Sequence, residues 1–393
     1  MSSATTTTKA TSDAPVREPE IWWSNAIFFS LTHVAALVGV YYYPPTAVPW
    51  QTLVFAFLTW QLADFGITMG YHRLYSHRAY RAALGVRVVL ALLGTIAFQG
   101  SIKWWCLRHR LHHVHNPSAS IEPTPNRYAA TRGLFYSHMG WIFYKPIYER
   151  IGLVDRQDLD SDPVPLAVSL GFVAPALIGM LWSDPMGSYI WAGLVARLFS
   201  ALAHWDGLQP YSDENTSRGN LILALLTGGE GNHNFHTFPH DYRSGPSYLD
   251  WDPTKWIIAA LHRLGYVKGL RRARDADLRA ALAHMQLKGH HHHETSDEED
   301  EEPWNGPVWS VADLKDKVSQ GACLLIIEGY VVDATAYLGE HPGGASILRK
   351  YAFSSKREEA IDATWAFEGG LNNHSWPARR GMRELRVAQL IVD

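Results

Sequence analysis

Histidine carries most of the chemistry open to this chain. Twenty of the 393 residues are histidine, and several stand at the spacing of metal ligands. YHRLYSH holds His72 and His77, HRLHH holds His109, His112 and His113, and HNFH holds His233 and His236. On a helix, positions i, i+3 and i+4 share one face, so HRLHH can turn two or three imidazoles to one point and HNFH two. His72 and His77 are five apart, off a single face, and need a helix end or a distortion between them. A lone histidine in such a place is ordinarily a polar interface residue, whereas three groups at this spacing predict a shared metal site. Thiolates are absent from these segments and carboxylates are sparse, so the shell is nearly all imidazole, which suits iron, copper or zinc rather than magnesium or calcium. Counting His204 in SALAHWDG, eight candidates are present where zinc normally takes four ligands. That surplus favours a di-iron centre for oxygen activation over a hydrolytic zinc. Neutral imidazoles leave the irons electrophilic enough for an oxidant that takes hydrogen from an unactivated CH2.

A second site is written near the C-terminus. GYVVDATAYLGEHPGG carries His341 in a turn whose glycines let the backbone pass close to a flat cofactor. Thirty-three residues later NNHSWPAR offers His374. Two imidazoles on opposite sides of an apolar slot give a six-coordinate haem b with no open position, hence electron transfer rather than oxygen binding.

The segments that must position these residues are strongly apolar. Hydrophobic residues make up 47% of the chain, aromatics 12% and charged residues only 19%, a membrane-like balance. Runs at Ile21–Tyr43, Trp50–Met69, Val164–Trp182 and Gly187–Ala203 approach the roughly 20 residues a bilayer-crossing helix needs. Val86–Phe98 is shorter and suits an interfacial helix. The loops YYYPPTAVPW and SDPMGS carry no Lys or Arg, while His72–Arg156 carries many. This is the positive-inside asymmetry of two helical hairpins with both termini and the histidine groups in the cytosol. Residues 1–20 are polar and lack the apolar core of a signal peptide, so they read as a disordered tail. A helical basic stretch, GLRRARDADLRAALAHMQL, suggests a surface against anionic membrane lipid. KGHHHHETSDEEDEEP reads as a linker. The expected organisation is a tail at 1–20, a membrane domain at 21–287, a linker at 288–306 and a small α+β domain at 307–393. With Cys106 and Cys323 alone, no disulfide framework is expected, and the net charge of -3 gives no reason to expect a nucleic-acid partner.

Taken in order, GITMGYHRLYSHRAY, GSIKWWCLRHRLHH, YSHMGWIFYKP, AHWDGLQPY, GGEGNHNFH and WDPTKW resemble the landmarks of the membrane acyl-CoA delta-9 (stearoyl-CoA) desaturases. The tail resembles cytochrome b5, a fusion typical of fungal members. The resemblance implies a mainly α fold: four transmembrane helices under a cytosolic helical cap, joined to a small α+β cytochrome b5-like domain. It implies a fatty acyl-CoA with its CoA on the cap and its chain in a kinked tunnel. It also implies O2-dependent removal of two hydrogens from C9 and C10, with electrons from NADH through a cytochrome b5 reductase and the haem. The endoplasmic reticulum membrane is the location implied. Carried over by position, His72, His77, His109, His112, His113, His204, His233 and His236 would be iron ligands, and His341 and His374 the axial haem ligands. Lys103, Trp105 and His138 would lie near the substrate entrance. A membrane hydroxylase, a desaturase of another position and a haem carrier with an impaired iron site are the rival readings.

Four departures from that pattern lie close to the iron site. His236 is followed by Thr237 where the family has a further histidine, and Ser200 stands in place of an asparagine. The last apolar run is short. The segment after HRLHH reads VHNPSASIEPTPNRYAATRG instead of an acidic stretch, and Leu107 and Arg108 stand where Arg and Asp are usual. His240 lies four residues beyond His236 and past Pro239, which interrupts a helical face. The sequence leaves open whether His240 takes the missing place.

Overall fold

The computed structural model describes residues 20–114, 140–145, 151–164, 170–199, 210–212, 219, 221–290, 304–341, 343–354, 361–368 and 374–391. Most of the described elements are helical. Helix α1 spans Trp23–Tyr42 and helix α2 spans Trp50–Phe65; the prolines Pro44, Pro45 and Pro49 between them end one helix and open the other. Helix α2 runs on without a break through a π-helical segment, Gly66–Ser76. Among the described residues, Trp23–Tyr42 and Trp50–Ser76 are long and apolar enough to cross a bilayer. Leu31, Leu37 and Tyr41 on α1 and Phe57, Leu58 and Leu62 on α2 are exposed, an outward apolar surface that lipid would cover.

Helix α3, Leu84–Ile96, folds back along α2. Leu90, Ala91 and Gly94 are buried on its inner face, and its outer face is apolar as well, with Leu84, Val89 and Leu92 exposed. The contact is unusually close because both sides supply glycine. A Cβ on Gly66 would lie 2.1 Å from the Gly94 backbone nitrogen, and a Cβ on Gly94 would lie 2.3 Å from the Tyr71 ring. GITMG thus places Gly66 and Gly70 one turn apart as a small-residue seam for α3.

The later apolar half is less regular. A helix at Leu170–Gly179 carries Pro175 inside it and tightens to a 3-10 turn at Met180–Trp182. After the bend, Pro185–Ser188 passes into π-helix at Tyr189–Leu194 and 3-10 helix at Val195–Phe199. This half packs across α1 and α2: a Cβ on Gly39 would lie 2.8 Å from the Ile190 side chain. The two bends that lack Lys and Arg are tied together. Thr52 Oγ1 donates to Asp184 at 2.5 Å, Trp182 Nε1 donates to Thr52 at 2.9 Å, and Trp191 Nε1 donates to the Tyr43 carbonyl at 3.0 Å.

At the opposite end, helix α4, Ile102–Val114, a helix at Pro253–Arg263 and the π-helical end of α2 enclose a core that includes Tyr71, Tyr75, Cys106, Leu111 and Ile258. Strand β1, Arg81–Ala82, pairs antiparallel with β2, Val267–Lys268, and closes this region. A helix at Asp275–His290 follows. The C-terminal part is α+β, with β3 (Val308–Trp309), β4 (Leu324–Ile327), β5 (Tyr330–Asp333) and β6 (Arg386–Leu390) in the order β3-β6-β5-β4. The β3–β6 pair is parallel and the other two are antiparallel. Ser310 and Asp313 close a capping box on the helix Val311–Ser319.

The glycine seam is open to test. Gly66→Ala should cost about 1–3 kcal/mol through overpacking against α3 backbone and lower the unfolding temperature of the detergent-solubilised chain by several degrees. Gly85→Ala on α3 meets nothing within 4 Å. It should leave that temperature unchanged or slightly higher.

Candidate metal centre

The five-residue spacing of His72 and His77 is solved by the π-helical turn. The His77 N–H donates to the His72 carbonyl at 3.0 Å, a bond that spans five residues instead of four. Widening the turn brings the two rings to one side, edge to face, with centroids 4.6 Å apart. Helix α4 delivers His109, whose Nε2 lies 2.8 Å from His77 Nε2. A 3-10 helix, His233–Thr237, delivers His236, whose Nε2 lies 3.2 Å from His72 Nε2. One ligating nitrogen from each of His72, His77, His109 and His236 falls within 4.8 Å of the others. Nitrogens gathered this closely either share ring protons, as the 2.8 and 3.2 Å contacts allow, or surround a cation, and an all-imidazole group of this kind could hold a metal ion. Three neighbouring rings add to the wall. His233 stacks on His236 with centroids 5.1 Å apart, Trp105 stacks on His109 at 4.7 Å, and Tyr71 meets Trp105 edge to face.

A buried charge network orients this cluster. Glu230 Oε1 lies 3.2 Å from His72 Nδ1 and accepts from Arg73 Nε at 3.1 Å and Nη2 at 3.0 Å. With the Nδ1 proton held by that carboxylate, Nε2 of His72 presents its lone pair to the cluster. Arg73 turns its other edge to Asp252, donating from Nη1 at 2.9 Å, and to the Tyr242 carbonyl at 2.8 Å. Burial would raise the Glu230 carboxyl, but Arg73 foremost, then His72, hold it well below the usual carboxylate range. Asp252 also caps the helix Pro253–Arg263 by accepting from the Lys255 N–H at 2.9 Å. Gly229 lets the chain pass this crowded point, with φ of 122° and room for no Cβ: one would lie 2.4 Å from Asp252 Oδ1.

Helix α4 is anchored separately. Arg110 donates to Asp158 at 2.6 Å and to the Tyr75 carbonyl, and Arg78 donates to the same Asp158 at 2.8 Å. Burial opposes ionisation of Asp158, yet these bonds bring its carboxyl down to about 2. Cys106, on the same helix, is no ligand. Burial pushes its thiol up to about 12, and Sγ donates to the Tyr71 carbonyl at 3.3 Å.

His72, His77, His109 and His236 therefore share one point, with His233 beside them. His112 and His113 lie on α4, and their side chains are outside the described residues, as are His204, Ser200 and His138. Trp105 lines the cluster and donates from Nε1 to Gln99 at 3.0 Å. Lys103 lies on the exposed flank of α4, paired with Asp160. His240 stays outside the four-nitrogen cluster, and its Nδ1 lies 2.8 Å from the His77 carbonyl. The supporting Glu230, Arg73 and Asp252 escaped the reading of the sequence. The one local signal was charge beside the ligand boxes, Arg73 directly after His72 and Glu230 in GGEGNH.

In the C-terminal domain the His341 and His374 rings face each other with centroids 6.3 Å apart, which leaves room for one metal ion bonded at about 2 Å to a nitrogen of each ring. His374 Nδ1 bonds the Phe367 carbonyl at 2.8 Å, and Phe367 stacks on its ring. Burial first, then His374, pushes His341 down to about 3, and burial lowers His374 too, so both rings are neutral and able to ligate. Gly344, at φ of 84°, closes the HPGG turn with its N–H on the His341 carbonyl at 2.9 Å. Residues 310–391 match the family described as "Cytochrome b5-like Heme/Steroid binding domain".

Several acyl-CoA desaturases match most of the chain. It is 34% identical over 392 residues to a "Probable acyl-CoA desaturase" of Schizosaccharomyces pombe, covering 93% of this chain and 78% of that protein. The chain belongs to the acyl-CoA desaturase family. Identity is also 34% to "Acyl-CoA desaturase 1" of Saccharomyces cerevisiae, with 90% of this chain and 71% of the relative covered. To the human "Stearoyl-CoA desaturase 5" it is 34%, over 67% of this chain and 84% of the relative. In this desaturase the histidine cluster and the paired haem-domain imidazoles are thus parts of one polypeptide.

Two substitutions probe the network. Glu230→Gln removes the carboxylate that orients His72 and should weaken metal retention about 10–100-fold in a chelator titration. Arg73→Met leaves Glu230 and Asp252 buried without their cation, at a cost of about 3–5 kcal/mol. That loss should appear as a lower unfolding temperature of the full chain.

Proposed function

We propose that this desaturase introduces a cis double bond at C9–C10 of a saturated fatty acyl-CoA such as stearoyl- or palmitoyl-CoA, using O2 and electrons relayed by its own haem domain. The observation that carries the reading is the convergence of four imidazole nitrogens at the end of a bilayer-length helix, in a chain of this family. The reaction balances as acyl-CoA plus O2 plus two electrons and two protons giving the unsaturated acyl-CoA and two waters. When bound, a di-iron centre supplies the O2-derived oxidant that takes hydrogen from the unactivated CH2 groups. The chain's own residues hold and shield that centre. His72, His77, His109, His112, His113, His204, His233 and His236 are proposed as its ligands. Glu230 fixes the His72 tautomer, and the Trp105 and Tyr71 rings exclude water from one side.

The proposed organisation is a membrane domain at 21–287, a linker at 288–306 and a haem b domain at 307–393 with His341 and His374 as axial ligands. Four transmembrane helices in two hairpins account for the hydrogen bonds that join the Thr52 and Asp184 bends. The histidine cluster then lies at the opposite, cytosolic end, with both termini, in the endoplasmic reticulum membrane. Lys103, Trp105 and His138 are proposed to contact the acyl-CoA near its entrance. NADH–cytochrome b5 reductase is the proposed electron donor to the haem.

Expression in a host that lacks its own delta-9 desaturase, followed by fatty-acid mass spectrometry, tests this reading. New 16:1 and 18:1 acids unsaturated at C9 are expected. Hydroxy acids, or a double bond at another carbon, would reassign the reaction, and absence of any new lipid together with an intact haem spectrum would overturn it. The purified chain should bind near two irons. His341→Ala should abolish the low-spin haem spectrum, and an unchanged spectrum would sink the axial assignment.

A further inference from the structure

One imidazole at the boundary between the cap and the haem domain belongs to neither ligand set. His240 bonds the His77 carbonyl through Nδ1 at 2.8 Å. Its Nε2 is buried and has no hydrogen-bond partner of ordinary geometry, and it faces the backbone carbonyl of Glu340. The next residue is His341, the proposed haem ligand, and the turn that carries it is bonded at Gly339 by Arg271. A single side chain therefore spans from the backbone of a proposed iron ligand to the peptide that carries a proposed haem ligand.

The boundary around it is built from several independent contacts. Arg271 donates its backbone N–H to the Ala79 carbonyl at 2.9 Å and its guanidinium to the Gly339 carbonyl at 2.8 Å, joining the cap to the HPGG turn. Gly344 lies against Asp155, where a Cβ would come within 2.4 Å of the Asp155 side chain. Further out, Arg274 pairs with Glu384 at 2.8 Å and the His284 ring stacks on Trp376 at 4.4 Å. These contacts hold the HPGG turn, rather than another face of the haem domain, against His240.

We propose that His240 is the positioning residue that couples the two redox sites: held to the His77 carbonyl by Nδ1, its ring fills the gap between that backbone and the Glu340–His341 peptide that electrons must cross. The inference rests on the desaturase reading above. Each passage moves one electron and no atom. With haem held by His341 and His374 and iron held by the histidine cluster, the haem would be oxidised by one electron as the cluster's metal is reduced by one, and two passages would supply the two electrons of the overall reaction. NADH, through the reductase, restores the ferrous haem. Histidine suits this place because its ring puts a nitrogen at each of two opposed edges, one for each domain.

The full-length chain in detergent, loaded with iron and haem and reduced anaerobically, is mixed with O2 and stearoyl-CoA while haem reoxidation is followed by stopped-flow absorbance. In the unmodified chain, stearoyl-CoA accelerates reoxidation. His240→Phe, which keeps a ring but no nitrogen, slows that phase several-fold, while the haem spectrum, the iron content and reoxidation by ferricyanide stay as in the unmodified chain. His240→Gln, which can still donate to the His77 carbonyl, recovers part of the rate. Arg271→Met, which releases the HPGG turn without touching a histidine, slows the same phase. An unchanged rate in His240→Phe overturns the coupling, and so does loss of iron in that variant, which would make His240 a support for His77 alone. A haem that ignores stearoyl-CoA in the unmodified chain overturns the desaturase reading itself, so the two failures are distinguishable.

Discussion

A guanidinium taken out of water must find partners for its donors, and Arg73 finds them in three separate stretches of chain. Glu230 comes from the loop before the third histidine group, Asp252 from the cap of the helix Pro253–Arg263, and the Tyr242 carbonyl from the segment between them. Arg73 itself sits in the π-helical end of α2, next to His72. The cluster is therefore located by electrostatics before any metal is considered: without Arg73, Glu230 loses the charge that keeps it ionised, and His72 loses its oriented partner. Such a network is costly to assemble and more costly to break by half, and that asymmetry gives the site a single geometry.

The clustering of His72, His77, His109 and His236 was legible because their spacing is a property of local chain geometry. Of HRLHH and HNFH the structure brings His109 and His236 to the cluster, and the misfit of His72 and His77 points to a distortion, which the π-turn supplies through the His77-to-His72 bond. The haem domain was legible for the same reason, as a turn motif followed by a distant histidine. The support was not. Glu230 and Asp252 reach Arg73 across more than 150 residues of chain, and nothing in spacing links an arginine to a helix cap so far away. Apolar runs of ordinary length suggest four spans. Among the described residues two meet that length as helices, while the later pair changes helical pitch along its length, with Pro175 accommodated inside the helix Leu170–Gly179. Composition reports that a segment is apolar, not how its backbone bonds are shared.

His240 shows the limit in another way. The sequence posed it as a replacement for the histidine absent after His236, because both lie in one short motif. Pro239 interrupts the helical run, and the 3-10 segment ends at Thr237, so the ring is turned from the nitrogens to the His77 carbonyl and the neighbouring domain. A residue judged by its distance along the chain from a ligand box is here defined by what folds against it from residue 340.

Arg271 has a consequence for supply rather than for geometry. Its two bonds, to Ala79 and to Gly339, keep the C-terminal domain beside the cap that the same polypeptide already ties it to. Two partners joined in this way meet at an effective concentration set by the tether, on the order of millimolar for a short flexible one. On the proposed function, a chain built so would depend little on free carrier protein. On that reading, its output would follow the supply of acyl-CoA and O2 more than the abundance of a separate carrier.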